Sequence, residues 1–155
     1  MSSREGEKTV ASNRRARHDY AIEERFEVGI VLTGPEVKSL RGGRASLSDS
    51  FARVVDGEVW LENMHIPPYE QQGDKRGYEP KRARKLLLKK AEIQRLIGKT
   101  AERGLTLVPL RVYFTHGLAK VELALGRGKR AYEKRQSIAE REHRREMDQA
   151  LHRRR

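Results

Sequence analysis

The chain contains no cysteine. It therefore has no disulfide framework, no thiolate metal site and no cysteine nucleophile. No apolar run approaches the roughly 18 residues that a helix needs to cross a bilayer. Residues 1–15 also lack the apolar core of a signal peptide. Together these absences predict a soluble cytoplasmic protein.

Recognisable catalytic motifs are missing as well. The sequence has no Gly-x-Ser-x-Gly elbow, no Walker A loop and no dinucleotide-binding turn. None of the five histidines stands at metal-ligand spacing from another histidine. His18 and Asp19 are adjacent, and in a strand they would face opposite ways, so we do not expect them to pair. We predict no catalytic residue, no metal and no cofactor, and we assign His18 to structure or RNA contact.

Positive charge is what the chain has in excess. It carries 34 Lys and Arg against 22 Asp and Glu, a formal net charge of +12. Such an excess favours a polyanionic partner, because cations that neutralise phosphates release condensed counterions. Nucleic acid is the first candidate and an anionic membrane surface the second. The lack of a long recognition helix or zinc finger favours RNA over the DNA major groove.

The cations are also clustered along the chain. Residues 75–90 hold eight Lys and Arg against one acidic residue, and residues 13–17 hold three Arg. Clusters of this density on a basic chain predict contact with nucleic acid rather than only a solvated surface. From the first cluster we select Arg82 and Arg84 as RNA-binding candidates.

Local patterning predicts a body that is mainly β-structure with added α-helices. Thr33 to Glu36 carry helix-start signals, and Gly42-Gly43 should end that helix. Apolar residues at helical spacing in residues 81–97 predict a second helix, which Gly98 or Gly104 would close. Pro109 predicts an edge strand or a bulge. The predicted strands are residues 26–32, 51–55, 58–66, 105–115 and 118–125. This order suits a small antiparallel β-barrel of the OB-fold type with two or three helices.

The domain organisation follows from composition. Residues 1–12 are polar and predicted to be disordered, residues 13–128 form the body, and residues 129–155 form a basic tail. The tail has ten Lys and Arg against five Asp and Glu. From residue 136 onwards its large apolar side chains are Ile138, Met147 and Leu151. These are too few for stable docking, so we predict a tail that is disordered alone and helical along phosphates.

Four segments together resemble the small protein B family, the SsrA-binding proteins of bacterial trans-translation. They read HDYAIEERFEVGIVLTGPEVKSLRGGRASLSDSF, RARKLLLKKAEI, LTLVPLRVYF and GKRAYEKR. The resemblance covers about residues 13–135, with a looser tail. It implies an OB-type barrel that binds the tRNA-like domain of tmRNA and catalyses nothing. It also implies delivery to ribosomes stalled with an empty A site, with elongation factor Tu and GTP engaged through the RNA. The tail would then fold as a helix in the vacant mRNA channel.

The resemblance also implies which residues bind RNA. Its positions match Asn13, Arg14, Arg15, Glu27, Leu87 and Lys120. Cations can meet phosphates, an amide can meet a base edge or sugar, a carboxylate can accept from a base, and a leucine can cover an unstacked base. We add Lys38 and Arg41 from the family's signature helix, whose Val37 and Leu40 should face the core. Whether that helix contacts RNA or plugs the barrel stays open at this point.

The junction between body and tail matches the family's ribosome contacts. An aromatic ring at position 132 can stack on an exposed purine, which is worth roughly 1–3 kcal/mol. The family commonly has His and Asp where this chain has Tyr132 and Glu133, so stacking is favoured over imidazole chemistry. The predicted ribosome-binding residues are Gly128, Lys129, Arg130, Tyr132, Glu133, Lys134, Arg135, Ile138 and Leu151.

Three functions from different classes can be weighed. The first is the tmRNA adaptor, and the second is a general ribosome- or RNA-associated OB-fold protein without a rescue role. The third is an enzyme that acts on RNA, such as a metal-independent nuclease. Composition alone does not separate the first two, and the family resemblance favours the adaptor. The body's histidines have no obvious partners in sequence, which weighs against the third.

Overall fold

The structure is a computed structural model that describes residues 6–71, 73–101, 105–129 and 141–151. The strands are β1 (Glu7–Ser12), β2 (Tyr20–Ile30), β3 (Phe51–Val55), β4 (Glu58–Glu62), β5 (Arg84–Leu87), β6 (Leu105–Thr115) and β7 (Leu118–Gly128). The helices between them are α1 (Arg14–Asp19), α2 (Gly34–Arg41) and α3 (Lys90–Thr100). In the described part of the chain, no helix combines the length and the apolarity that crossing a membrane requires.

The strands form one antiparallel sheet that closes on itself. Their order is β1-β6-β3-β4-β5-β2-β7, and an additional pairing of β6 with β7 closes the ring. The pairing of β3 with β6 is short and consists of the single register pair Ala52 and Leu107. β1 pairs with residues 111–115 of β6 and is not one of the strands that close the ring. The predicted small antiparallel barrel with added helices is confirmed.

The barrel interior is filled by alternate residues of its strands. Val28, Leu61, Leu86 and Val121 are buried in one apolar cluster, while their neighbours along each strand face outward. Each such side chain contributes about 1.5–3 kcal/mol through removal of apolar surface from water. A smaller apolar cluster on the outer side packs α1, through Ala16, against β6 and β7.

Helix α2 plugs one end of the barrel. Thr33 and Glu36 form a capping box at its start, in which each side chain accepts from the other's backbone N–H. Leu40 is completely buried in the main core. Gly43 follows the helix with φ of +78°, a conformation that glycine adopts without a Cβ penalty. The predicted start and end of this helix are confirmed.

The prediction of a helix through the leucine run at residues 86–88 is wrong. Residues 84–87 form strand β5, which pairs with β4 on one side and β2 on the other. Backbone pairing in the sheet overrides the helical spacing because it also places Leu86 in the core and leaves Leu87 outside. Helix α3 starts only at Lys90, and Gly98 lies inside it rather than closing it.

The prediction of a disordered N-terminus is wrong for residues 7–12. They form β1 and pair with β6 over the register from Glu7–Thr115 to Ser12–Arg111. The polar composition does not prevent a strand here, because β1 is held by backbone hydrogen bonds and ion pairs as well as by apolar burial. Glu7 contributes one such pair with Arg111, at 3.1 Å.

The last hairpin, β6 and β7, can be compared with the sequence prediction at a bulge and at a strand end. The register shifts between Pro109 and Arg111, so the predicted bulge is confirmed, although β6 is paired on both sides and is not an edge. β7 extends beyond the predicted end at residue 125 and continues to Gly128. A Cβ on Gly126 would lie 2.8 Å from the Cβ of Tyr20, so glycine is required for close packing there.

The basic tail is helical over its described part. Residues 141–151 form a helix whose side chains are all exposed. This is the conformation that we predict for the tail along phosphates, and its disorder in the free protein stays a prediction. Residues 130–140 and 152–155 lie outside the described residues.

Candidate nucleic-acid interface

Three strands bring predicted RNA-binding residues together on the outer face of the barrel. Gly29 of β2 is the register partner of Leu87 in β5 and of Lys120 in β7. Glu27 is two residues from Gly29 and therefore lies on the same face of β2. Residues far apart in sequence thus form one surface, which we call the outer patch: Glu27, Gly29, Leu87 and Lys120.

Gly29 gives the outer patch its shape. A Cβ at this position would lie 3.3 Å from the Cβ of Leu87, so the leucine packs directly over the glycine backbone. Leu87 is nevertheless 52% exposed, which is unusual for a leucine in a paired strand. The patch therefore offers an apolar surface for a base, a cation for a phosphate at Lys120, and a carboxylate acceptor at Glu27.

The carboxylate of Glu27 differs in its ion pairs from that of Glu122, its cross-strand neighbour. Glu27 is the register partner of Glu122 in β7. Two arginines neutralise Glu122, with Arg111 at 2.7 Å and Arg25 at 3.3 Å. Glu27 forms no ion pair with any residue that the structure describes. It is exposed and remains available as an acceptor toward a ligand.

Arginines of α1 form a second basic surface. Arg14 and Arg15 are exposed, and Arg15 pairs with Asp49 at 3.2 Å and with Asp19 at 3.6 Å. These are surface pairs of small energy, so Arg15 can exchange them for a phosphate. The two arginines project from a short helix rather than from the outer patch.

His18 lies at the end of α1, and its predicted separation from Asp19 is wrong. Its Nδ1 lies 3.1 Å from Oδ1 of Asp19. The hydrogen bond with His18 holds the pKa of Asp19 below its usual value. The prediction assumed a strand at this point, whereas the two residues occupy the last turn of α1. The His18 ring is exposed and free to contact RNA.

Asn13 does not offer its side chain to RNA, which corrects the prediction. It is only 6% exposed, and both ends of its amide are used. Its Oδ1 accepts from Ala16 N at 3.1 Å, and its Nδ2 donates to Pro109 O at 3.0 Å. Asn13 is thus the N-cap of α1 and ties that helix to the bulge in β6. Its contribution is to position the arginines that follow it.

Arg84 is likewise structural rather than an RNA contact. Its side chain is completely buried, and its Nε donates to Oε2 of Glu36 at 2.5 Å. Its other nitrogens donate to Met64 O at 2.6 Å and Pro80 O at 3.1 Å. The inward direction could have been found once residues 84–87 are treated as a strand, because Arg84 then shares the face of Leu86.

Arg82 is a surface cation whose position is fixed by an ion pair with Glu36. Its Nη2 donates to Oε1 of Glu36 at 2.6 Å, and about a third of the side chain is exposed. Burial opposes ionisation of Glu36, but hydrogen bonds from Arg82 and Thr33 and the charge of Arg84 outweigh it. The pKa of Glu36 is therefore below its usual value. One carboxylate between two guanidiniums leaves a net positive charge, which Arg82 presents at the surface.

Helix α2 both plugs the barrel and presents cations. Lys38 and Arg41 are exposed while Leu40 between them is buried. Lys38 Nζ lies 5.8 Å from the centroid of the Tyr69 ring, and the Arg41 guanidinium lies 5.4 Å from that of Phe114. The aromatic rings limit the freedom of both side chains without neutralising their charge.

The junction to the tail lies beside α1. β7 ends at Gly128, and Lys129 Nζ donates to Arg17 O at 3.5 Å. Leu151 is 60% exposed on the tail helix. The remaining predicted ribosome-binding residues lie outside the described part of the chain: Arg130, Tyr132, Glu133, Lys134, Arg135 and Ile138.

Sequence reasoning missed the residues that support the outer patch. Arg111 is part of β6 and pairs with both Glu7 and Glu122. Its guanidinium lies 3.9 Å from the centroid of the Tyr113 ring. The i, i+2 spacing of Arg111 and Tyr113 in a strand could have placed them on one face, but the acidic partners come from β1 and β7. Only the register reveals those partners.

Comparison with known proteins agrees with this architecture. The family model described as SmpB protein matches residues 10–153. The SsrA-binding protein of Acidothermus cellulolyticus is 64% identical over 154 residues, covering 99% of this chain and 96% of its own. That of Desulforudis audaxviator is 62% identical over 148 residues, covering 96% of each chain. A chain of the solved structure "tmRNA-SmpB: a journey to the center of the bacterial ribosome" is 57% identical with a TM-score of 0.64. That match covers 76% of this chain and 82% of the other.

Proposed function

Because the chain belongs to the SmpB protein family, we propose that it is an RNA-binding adaptor of trans-translation. It binds the tRNA-like domain of tmRNA and brings that RNA to stalled ribosomes with an empty A site. The observation that carries this proposal is the outer patch, in which Glu27, Leu87 and Lys120 meet on one uncovered face of the barrel. The printed descriptions of the relatives, which name SsrA and tmRNA, support the same partner.

The chemistry of the patch suits a folded RNA with an unstacked loop. Leu87 offers an apolar surface on which a splayed base can lie, and Lys120 supplies a cation for the adjacent phosphate. Glu27 accepts from a base N–H, which distinguishes one base from another in a way that phosphate contacts do not. The arginines of α1 and the cations of α2 add affinity that does not depend on sequence.

The tail serves the ribosome rather than tmRNA in this proposal. Its described helix, residues 141–151, is fully exposed and carries Arg and Glu on the same turns. Such a segment can lie along ribosomal RNA in the vacant mRNA channel, with Tyr132 stacking in the decoding centre. Elongation factor Tu with GTP is engaged through the bound RNA. The protein acts in the cytoplasm, where the ribosomes are, and takes no catalytic part itself.

The test compares two RNAs at one salt concentration. Binding of the full chain to the tRNA-like domain of tmRNA is measured beside an ordinary tRNA of matched length, over a series of salt concentrations. We expect clear preference for the tRNA-like domain at every salt. The variant Lys120→Gln should lower the salt slope by about one, because one phosphate contact is lost.

Equal affinity for the two RNAs would contradict the adaptor function. That result would favour the second candidate, a general RNA-associated barrel protein whose cations bind phosphates without selecting the fold of the RNA. Lys120→Gln would then still weaken binding, and the comparison between RNAs alone decides between the two candidates.

A further inference from the structure

A cavity of about 500 Å³ opens where the segment between β4 and β5 folds back on itself. We call it the loop pocket, and its lining residues are His65, Tyr78, Glu79, Pro80 and Lys81. Its volume falls within the range of sites that hold small molecules and cofactors. None of the five residues belongs to the outer patch or to the RNA-binding residues predicted from the sequence.

Hydrogen bonds hold the walls of the loop pocket in place. The Tyr78 hydroxyl donates to Ile66 O at 2.8 Å, which fixes the orientation of the ring. Pro80 O accepts from Ile66 N at 2.9 Å and from Nη2 of the buried Arg84 at 3.1 Å. The pocket is therefore preformed, so a ligand that enters it does not have to order these walls.

His65 offers the pocket a ring that the fold does not use. Its backbone is paired with that of Ser46, with N···O distances of 2.9 and 3.0 Å. Its imidazole forms no hydrogen bond or ion pair with any residue that the structure describes. The residue is half-buried, as are Tyr78 and Pro80. Together the three rings provide flat surfaces of the kind on which unstacked bases lie.

The rim of the loop pocket is positively charged. Lys81 is exposed at the edge, and Arg82 follows it with about a third of its side chain exposed. Both belong to residues 75–90, which hold eight cations and one acidic residue. That acidic residue, Glu79, is exposed in the lining and can accept from an exocyclic amine of a base. The charge of the rim favours a ligand that carries a phosphate.

Flat rings, fixed walls and a cationic rim together suit one nucleotide. On the basis of the proposed function, we propose that the loop pocket binds an unstacked base of the RNA that lies on the outer patch. The base lies against His65 and Tyr78, and its phosphate meets Lys81. The chain from Lys81 to Leu87 spans at most about 20 Å when extended, so one RNA strand can reach both sites.

The direct test is His65→Asn, which removes the ring and keeps a polar side chain. We expect affinity for the tRNA-like domain to fall by about fivefold or more, the effect of losing one stack between a base and a ring. The salt slope should stay unchanged, because no phosphate contact is lost. His65→Phe keeps a flat ring and should bind as the unmodified chain does.

Unchanged affinity in His65→Asn would overturn the proposal. That holds even if binding to ribosomes falls, because the base would then come from ribosomal RNA. Failure of His65→Phe to restore binding would also count against it, since the imidazole would then act through its nitrogens rather than as a flat surface.

His116→Asn is the matched control. His116 is exposed in the turn between β6 and β7, and its φ of +49° is a conformation that asparagine tolerates. The same substitution outside the loop pocket should leave RNA affinity unchanged. An equal loss in the two variants would show that the effect does not depend on the pocket, and the proposal would fail.

Lys81→Gln tests the phosphate and keeps the proposal testable if His65→Asn does not fold. Lys81 is exposed, so its replacement should leave the fold intact. We expect weaker binding to the tRNA-like domain and a salt slope lower by about one. An unchanged slope would show that no phosphate meets Lys81, which contradicts the proposed placement of the nucleotide.

Fluorescence of 2-aminopurine separates the loop pocket from the outer patch. The analogue replaces one unpaired base of the tRNA-like domain at a time, and its emission is followed as the chain binds. We expect one position whose response is lost in His65→Asn and kept in Leu87→Ala. If every response depends on Leu87 alone, the proposal is overturned. Failure of the proposed function is a separate result, since it appears as equal binding of the tRNA-like domain and ordinary tRNA by the unmodified chain.

Discussion

The Nε of Arg84 donates to Oε2 of Glu36 at 2.5 Å, and both side chains are almost entirely buried. The pair joins β5 to α2, the helix that closes one end of the barrel. Arg84 also donates to Met64 O and Pro80 O, so the loop between β4 and β5 is tied to the same point. Arg84, which lies in the basic cluster of residues 75–90, therefore stabilises the fold.

We expect Arg84→Met to destabilise the protein by about 3–5 kcal/mol, because it leaves a buried carboxylate and two carbonyls short of donors. Urea unfolding followed by circular dichroism measures the change. Arg95→Met is the control, since Arg95 forms a surface pair with Glu24 at 3.0 Å and should cost less than about 1 kcal/mol. Similar costs for the two variants would contradict the structural role given to Arg84.

The same pair makes stability sensitive to acid. The pKa of Glu36 is lowered in the folded state from an ordinary value of 4.5. The unfolded chain therefore binds a proton at higher pH than the folded one does. The stabilisation is complete above about pH 4.5 and is lost as the pH falls through the folded pKa.

We therefore expect the urea midpoint of the unmodified chain to fall steeply below pH 4.5. In Glu36→Gln the midpoint should be lower at pH 7 and should fall less between pH 5 and pH 3. Parallel pH profiles for the two proteins would show that Glu36 does not contribute to the acid sensitivity.

Neighbouring leucines should have opposite phenotypes. Leu86 is buried in the core and Leu87 lies over Gly29 on the outer patch. We expect Leu86→Ala to cost about 2–5 kcal/mol of stability through the cavity it leaves. Leu87→Ala should cost little stability and weaken binding to the tRNA-like domain by about tenfold or less. The paired measurements are urea unfolding and RNA titration. A reversal of the two effects would contradict the orientation of β5.

Removal of the tail should separate RNA binding from action on the ribosome. A chain that ends at Gly128 keeps all the strands of the barrel and the outer patch. We expect its affinity for the tRNA-like domain to stay within about threefold, since the outer patch and the arginines of α1 are kept. Peptide tagging on stalled ribosomes in a purified translation system should be abolished.

A tail of the same composition in scrambled order is the control for charge. It restores the tail's cations and should restore any affinity that they contribute, but it should not restore tagging. Tagging by the scrambled chain would show that the tail acts by charge alone. Loss of RNA binding in the shortened chain would show that body and tail do not divide the work as proposed.

Short-range patterns were enough to predict several elements correctly. Thr33 to Glu36 carry their own capping box, and Gly43 adopts the left-handed conformation that ends the helix. Asp56-Gly57 and His116-Gly117 have positive φ in the two-residue turns between the strands predicted on either side of them. These features depend on neighbours within a few residues, so the sequence is sufficient for them.

The direction of single side chains was not predictable in the same way. Arg84 and Asn13 were expected to contact RNA, but both are buried and use their polar groups within the protein. Composition shows that a cation belongs to a basic cluster, but it does not show whether the side chain points into the core or toward solvent. The pairing of β5 with β2 and β4 and the hydrogen bond from Asn13 to Pro109 O decide that direction, and both depend on partners distant in sequence.

The sequence by itself determined the positive charge, the turns, the start and end of α2 and the family to which the chain belongs, because each is carried by composition or by short motifs. The tertiary structure alone decided which residues share the outer patch. Glu27, Leu87 and Lys120 come from three strands that meet only when the barrel closes in its specific register. A shift of one residue would turn each side chain to the opposite face, and no local pattern in the chain records that register.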